Sequence, residues 1–415
     1  MDRVEHHHNG RRIEAHHVMT AALTDGYRRG ESGFARIALA LFLAGFSTFS
    51  LIYCVQPLMP VFASDYGISA TQSSLSLSVS TICLAVGMLF TGPLSDAYGR
   101  KRVMLMALFA ATLATLCCAL STTWPMFLLF RALVGLSLSG VAAVGMSYLS
   151  EEISMRHLAY AMGLYVSGNG IGSLTGRLLG GVLVDWLNWR VVMGLMAAVS
   201  LLVATIFAYA LPRSTRFIAS PLNLAYLVGG ISAHCRDKGL RLLFLQGFLL
   251  MGVFVALFNY ITYRLLEPPF SFSQAWVGLV FVVTITGIIG ASHLSAMADR
   301  FGLANMFIVV VTIQLIGVLC TLSSHIVVAL PGLCIFTLGF YGAHSIASGW
   351  VGQRATHAKA LGSSLYLFFY YLGSSVAGTA GGIFWQAFNW RGVVFFVSAM
   401  LMFSLWIATK LKRLD

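Results

Sequence analysis

The sequence predicts an all-α membrane protein with twelve transmembrane helices in two pseudo-symmetric six-helix bundles. Three observations predict this fold class. Apolar residues make up 58% of the chain and charged residues 10%, where a soluble domain carries about 25% charged. Apolar stretches of about 20 residues, the length a helix needs to cross a bilayer, recur along the whole chain. The chain also repeats itself. Gly92-Pro93-Leu94-Ser95-Asp96-Ala97-Tyr98-Gly99-Arg100-Lys101-Arg102 returns in weaker form as Ser295-Ala296-Met297-Ala298-Asp299-Arg300-Phe301-Gly302, 203 residues on, and Asn188-Trp189-Arg190 returns as Asn389-Trp390-Arg391, 201 residues on. The alternation over about ten residues that marks a barrel strand is not seen.

Taken in order, residues 1–33 read as a polar cytoplasmic leader. It holds Glu5, Glu14, Asp25 and Glu31 and lacks the basic, apolar, small-residue order of a cleavable signal. Spans are expected at 37–63, 70–95, 102–122, 125–150, 158–184, 190–212, 240–264, 273–297, 303–323, 326–351, 358–386 and 390–412. Residues 34–212 then form the first bundle and 240–415 the second. The connecting segment 213–239 carries most of the mid-chain charge, and its apolar piece 222–231 is too short to span and fits an interfacial helix. The other loops are short, so consecutive helices run antiparallel. Two six-helix units in tandem share one orientation and can be related by an axis along the membrane normal, which favours transport through a cavity between them.

The net charge of +12 resembles that of a nucleic-acid binder until its distribution is followed. Arg11, Arg12, Arg28, Arg29 and Arg36 precede span 1. Arg100, Lys101 and Arg102 lie between spans 2 and 3, Arg213, Arg216, Arg236, Lys238 and Arg241 between spans 6 and 7, and Lys410, Lys412 and Arg413 follow span 12. The opposite loops keep Arg190, Arg264 and Arg391. This positive-inside bias puts both termini in the cytoplasm and makes the bilayer, with no nucleic acid, the partner of the charge. Seven cysteines, six inside spans, argue against a disulfide framework. No Walker-type phosphate loop appears, so no nucleotide cofactor is expected. The leader histidines His6, His7, His8, His16 and His17 lack partners at metal-site spacing, so no metal is expected either.

Asp96 ends span 2, where the helix dipole disfavours a carboxylate unless a positive group faces it. Arg100 lies four residues on, and Gly92 and Gly99 permit close approach and a tight turn. Arg131 stands about two turns into span 4. A cation there faces a cavity or partner, or else snorkels to the near interface. In span 5, Gly168, Gly172, Gly176 and Gly180 form one smooth face, expected at the interface between the halves, and Arg177 adds a second cation. No Asp or Glu lies in the middle of any span, and Asp185 is the nearest.

At these residues the chain resembles the major facilitator superfamily, across essentially all of residues 35–412. Gly92, Leu94, Asp96, Gly99, Arg100 and Lys101 match its loop signature, with Ala97 in place of the common Arg. The resemblance implies that Gly92, Asp96, Gly99, Arg100 and Lys101, with Asp299 and Gly302 in the second copy, form a conformational latch. Glu151 or Glu152 would be further partners. Arg131 falls in the family's second motif, tied to proton coupling. The glycines of span 5 are similar to the antiporter motif, but Arg177 occupies its proline position. The chain looks most like the YnfM-like and arabinose-efflux-like exporters.

The resulting expectation is a secondary active transporter and not an enzyme. It exports a small organic solute (sugar, drug or organic anion) across a bacterial inner membrane as a monomer, with protons as the coupling ion. An uncoupled facilitator or importer, or a non-transporting sensor, are the alternatives. Arg131, Arg177, Asp185 and His344 are the coupling candidates. Ser50, Tyr53, Gln56, Gln246, Asn259, Tyr260 and Ser348 are expected to line the cavity, a neutral polar, aromatic and cationic surface suited to neutral or anionic solutes. His344 can titrate near neutral pH, or be a neutral histidine satisfied by a backbone carbonyl.

Overall fold

A computed structural model describes residues 26–214, 224–355 and 359–414 of the chain. Most of the leader, with all its histidines, lies outside the described residues, as do the side chain of Asp299 and residues 222 and 223 of the expected interfacial helix. Ten described stretches are long and apolar enough to cross a bilayer. One of them, Leu361–Leu411, contains two spans, and the more polar helix Met155–Leu183 is 29 residues long. Twelve membrane-spanning segments result, in the order expected.

The first half holds α1 (Ser32–Tyr53), α2 (Met59–Tyr66), α3 (Ala70–Tyr98), α4 (Arg100–Leu120), α5 (Trp124–Ala142), α6 (Gly145–Glu152), α7 (Met155–Leu183) and α8 (Trp189–Ala210). After α9 (Leu224–Arg236) the second half holds α10 (Lys238–Leu266), α11 (Gln274–Val280), α12 (Thr284–Phe301), α13 (Leu303–Cys320), α14 (Ile326–Arg354) and α15 (Lys359–Leu411).

Local chemistry sets the boundaries. Ser69 and Gln72 form a reciprocal capping box that starts α3. Asn188 caps α8 by accepting from the Arg190 amide at 2.8 Å, and Asp237 caps α10 by accepting from the Leu240 amide at 2.7 Å. Gly99 and Gly302 both take positive φ, 96° and 87°, at the turns after α3 and α12. A residue with a Cβ would be strained at either turn, so the 203-residue repeat is also a repeat of backbone geometry. The second Asn-Trp-Arg copy bends α15, where Phe388 and Asn389 leave helical geometry.

Span 1 departs from the expected 37–63 helix. Its chain stops at Tyr53, turns through Cys54–Leu58 and resumes as α2. The reason is Pro57, which has no N–H to return to the Tyr53 carbonyl, followed by Pro60 at the start of α2.

The glycine row of α7 is also placed differently from expectation. A Cβ at Gly168, Gly172, Gly176 or Gly180 would meet the carbonyls of Phe42, Phe46, Ser50 and Cys54, so this face is spent on α1 within the first half. Gly181 instead faces the second half, backbone to backbone with Gly278 of α11. The halves meet along α3 with α15 and α7 with α11.

At the end remote from the termini, Asp65 accepts from the Trp189 indole at 2.8 Å and from Arg190 at 3.1 Å. These bonds, the indole's first, hold its carboxyl below the usual carboxylate range. At the terminal side Arg354 does the same to Asp237, at 2.8 Å. A depressed carboxylate adds stability that is complete above its unfolded pKa, about 4, and is lost as pH falls through the lower folded value. Both sites are partly exposed, so each effect is below about 1 kcal/mol. We therefore expect the melting temperature in detergent to fall below pH 4, with a shallower acid slope in Asp65→Asn and Asp237→Asn.

Candidate functional site

The centre of the molecule is organised around two arginines with no carboxylate beside either. Arg131 of α5 is fully buried. Its Nε donates to the Ser76 carbonyl at 2.8 Å, Nη1 to Leu51 at 2.9 Å and Nη2 to Ile52 at 2.8 Å. The broken end of α1 leaves the Leu51 and Ile52 carbonyls without helical N–H partners, and Arg131 supplies donors to them. Its backbone carbonyl in turn accepts from Ser80 at 2.8 Å. The guanidinium thus pins α1, α3 and α5 together and does not reach the space between the halves.

Arg177 is placed for that space. Its stem follows α7, and Nη1 donates to the carbonyl and hydroxyl of Ser173 one turn back. Nε donates to Gln56 Oε1 at 2.7 Å. Gln56 Nε2 then donates to Asn259 Oδ1 at 2.7 Å. Gln56 and Asn259 are 203 residues apart, the repeat spacing of the loop signature, so this bond joins equivalent positions of the two halves. Tyr260 completes the network by donating to the Gly378 carbonyl at 3.0 Å.

Aromatic rings close around the guanidinium. Its carbon lies 4.1 Å from the Tyr53 ring centroid, 5.3 Å from Phe281 and 5.9 Å from Phe254, the first two well within cation–π range. Tyr341 and Tyr370 stand within electrostatic reach of it, and Tyr371 within reach of Tyr53. His344 bonds through Nδ1 to the Tyr366 hydroxyl at 3.0 Å and packs on Tyr370 with centroids 4.5 Å apart.

Of the residues expected to line the cavity, Tyr53, Gln56 and Asn259 come together at Arg177, with Tyr260 beside them. Ser50 donates to the Gly172 carbonyl inside the first half. Gln246 exchanges hydrogen bonds with Ser404 inside the second. Ser348 is exposed and bonds back to Ser345. Asp185 accepts from the Ala275 amide across the halves at 3.0 Å, beyond the end of α7 and away from both arginines. Tyr341, Tyr370 and Tyr371 were missed by sequence reasoning. The available signal was the aromatic run from Tyr366 to Tyr371, which reads equally well as lipid-facing. A surface hollow of about 760 Å³ at Arg264, Phe388, Trp390 and Arg391 lies at the Asn-Trp-Arg bend, separate from this centre.

In the loop signature, Asp96 pairs with Arg100 at 2.5 Å, and Arg100 reaches Glu151 at 2.6 Å. Lys101 donates to the carbonyls of Ala208 and Leu211 at 2.8 and 2.5 Å. Gly92 has open space around it. These ties of Asp96, Arg100 and Lys101 are internal to the first half.

The chain matches the profile of the Major Facilitator Superfamily over residues 41–378. It is 49% identical over 386 residues to the inner membrane transport protein YnfM of Escherichia coli strain K12, covering 93% of both chains. It is 45% identical to the uncharacterized MFS-type transporter YybF of Bacillus subtilis strain 168, covering 93% of this chain and 96% of that one. A bacterial homologue of the human lysosomal transporter Spinster, solved in an inward-facing, occupied conformation, superposes with a TM-score of 0.77 at 15% identity, over 92% of this chain and 98% of that one.

The two arginines should separate on mutation. Removing Arg131 leaves buried carbonyls without donors, at about 1–3 kcal/mol each. Arg131→Ala is expected to lower thermal stability in detergent by several degrees, with Arg131→Lys intermediate. Arg177→Gln, which alters the Gln56–Asn259 link between the halves and frees few carbonyls, is expected to melt within a few degrees of wild type and to lose transport.

Proposed function

Since the chain belongs to the major facilitator superfamily, we propose that this membrane transporter exports a small organic solute across the bacterial inner membrane in exchange for protons, by alternating access to the chamber around Arg177. The observation that carries this reading is how the halves touch. Among the described residues, the hydrogen bonds between them fall from the middle of the helices to the end remote from the termini. Ser73 and Tyr263 hydroxyls meet at 2.5 Å, Thr81 and Ser375 at 2.8 Å, and Thr379 donates to Ser78 at 2.8 Å. Gly181 against Gly278 adds a contact between helix backbones.

Such a seam consists of hydroxyls and small residues, each bond contributing about 0.5–1.5 kcal/mol net, so it can part without unlocking large side chains. With both termini in the cytoplasm, as the basic residues favour, this state opens inward and one protomer contains the complete chamber. The Asp96, Arg100 and Glu151 ties then serve as the first-half part of a latch that engages the second half in the other state. The similarity to YnfM, an inner membrane transport protein, supports an inner-membrane location.

His344 is the proposed proton carrier, because its ring touches Tyr370 and so lies one residue from Arg177. A second reading, an uncoupled facilitator, is favoured by the lack of any carboxylate among the charged partners of Arg177. A growth-sensitivity screen over sugars, amphenicol-type drugs and organic acids supplies the labelled solute, and proteoliposomes separate the readings. We expect a pH gradient to drive wild-type accumulation, and His344→Gln to keep solute counterflow while losing at least tenfold of the gradient-driven component. Wild-type transport that ignores the pH gradient would establish the facilitator instead.

A further inference from the structure

The chamber contains donors that the protein itself does not use. Arg177 is almost fully buried, yet Nη2 has no hydrogen-bond partner among the described residues, its other nitrogens being taken by Gln56 and Ser173. The hydroxyls of Tyr53, Tyr341, Tyr370 and Tyr371 likewise make no hydrogen bond, though Tyr53, Tyr370 and Tyr371 are at most 9% exposed. Each of these residues keeps a small accessible remnant, so free volume reaches the group. A donor at this depth that free volume reaches is open to an acceptor from outside the chain, and Nη2 with the hydroxyls of Tyr53, Tyr341 and Tyr370 gathers four such donors at one guanidinium.

The charge of that acceptor follows from the surroundings. The charged or polarisable neighbours of Arg177 are tyrosines, with no carboxylate among them. A cationic solute would meet an unneutralised guanidinium at low dielectric. A dianion would need a second cation, and each nitrogen of Arg131 already donates to a carbonyl of α1 or α3. One charge of opposite sign balances the site. The rings of Tyr53, Phe281 and Phe254, 4.1 to 5.9 Å from the guanidinium carbon, make the rest of the lining aromatic and suit an aromatic body on the bound molecule.

We propose that Arg177 Nη2 and the Tyr341 and Tyr370 hydroxyls bind the carboxylate of a small aromatic monoanion, and that this is the solute class the chamber carries. The inference rests on the transport reading above and adds the chemistry of the cargo. It also supplies a direction. An inside-negative membrane potential favours outward movement of a monoanion by roughly 50-fold in concentration per 100 mV, so export needs no acid in the membrane.

The test uses the purified full-length chain in detergent, titrated with benzoate, phenylacetate and indole-3-acetate, their neutral amides, and benzylammonium, with thermal shift as readout. At least one acid is expected to bind tenfold or more tighter than its amide, with benzylammonium giving no shift. Arg177→Gln should abolish the response, and the Tyr341→Phe, Tyr370→Phe double variant should weaken it about fivefold or more. If Arg177→Gln fails to fold, the tyrosine variant decides. Acids no better than amides, a preference for the amine, or acid binding undiminished in the variants would overturn the assignment.

Proteoliposomes separate this inference from the reading beneath it. A neutral sugar or amphenicol moved by wild type, while acids neither bind nor move, leaves transport standing and removes the anion. Acids that bind but never cross leave the site standing and remove transport.

Discussion

The break in span 1 and the arginine that holds it are what the centre of this protein depends on. The turn at Cys54–Leu58 ends the helix and leaves the Leu51 and Ile52 carbonyls without backbone donors in a region where water cannot satisfy them. Arg131 donates to both and to a third carbonyl on α3. Once α1 is stopped there, the turn that follows carries Gln56 to Arg177 and Asn259, and leaves Tyr53 under the Arg177 guanidinium. The glycine row of α7 completes the arrangement. It lets α7 lie against the carbonyls of α1, so that Arg177 can reach past it. The two membrane cations thereby differ in their bonding: Arg131 ties three helices together through carbonyls, and Arg177 keeps Nη2 without a hydrogen-bond partner among the described residues.

The duplication is visible in geometry as well as in sequence. Gly99 and Gly302 turn with nearly the same positive φ, and Gln56 meets Asn259 as its own counterpart from the other half. The halves have nevertheless diverged in what they contribute. The first supplies the cation and the loop charges Asp96, Arg100 and Glu151, whereas the second supplies most of the aromatic wall, Tyr341, Tyr370, Tyr371 and His344 among it. A pseudo-symmetric frame gives two equivalent positions for rocking. The asymmetric lining gives the chamber one electrostatic character.

Much of the frame was legible in the residues. Apolar length gave the spans, and the repeat gave the two-bundle plan that the family match and the structural neighbour bear out. The site was legible only in part. Tyr53, Gln56, Asn259 and Arg177 were named as polar groups in spans and do converge. Ser50 and Gln246 were named on the same grounds and bond within their own halves. A polar residue in a span has two uses, bonding a neighbouring helix or facing a cavity, and hydropathy is blind to which. The small face of α7 was misdirected for a related reason: glycine spacing says that a helix packs closely, without saying on what.

What the sequence by itself determined was everything set by local or additive physics. That covers the number of spans from apolar length, the turn at Gly99 and its repeat at Gly302, and the absence of acids from the membrane interior. Only the tertiary structure decided which arginine is held by carbonyls at every nitrogen and which keeps one nitrogen without a partner, because that depends on the carbonyls released by a break in another helix. It also decided that tyrosines 160 and more residues away in sequence surround Arg177. Those contacts exist only when two separate bundles close on one another, and no periodicity within a single helix encodes them.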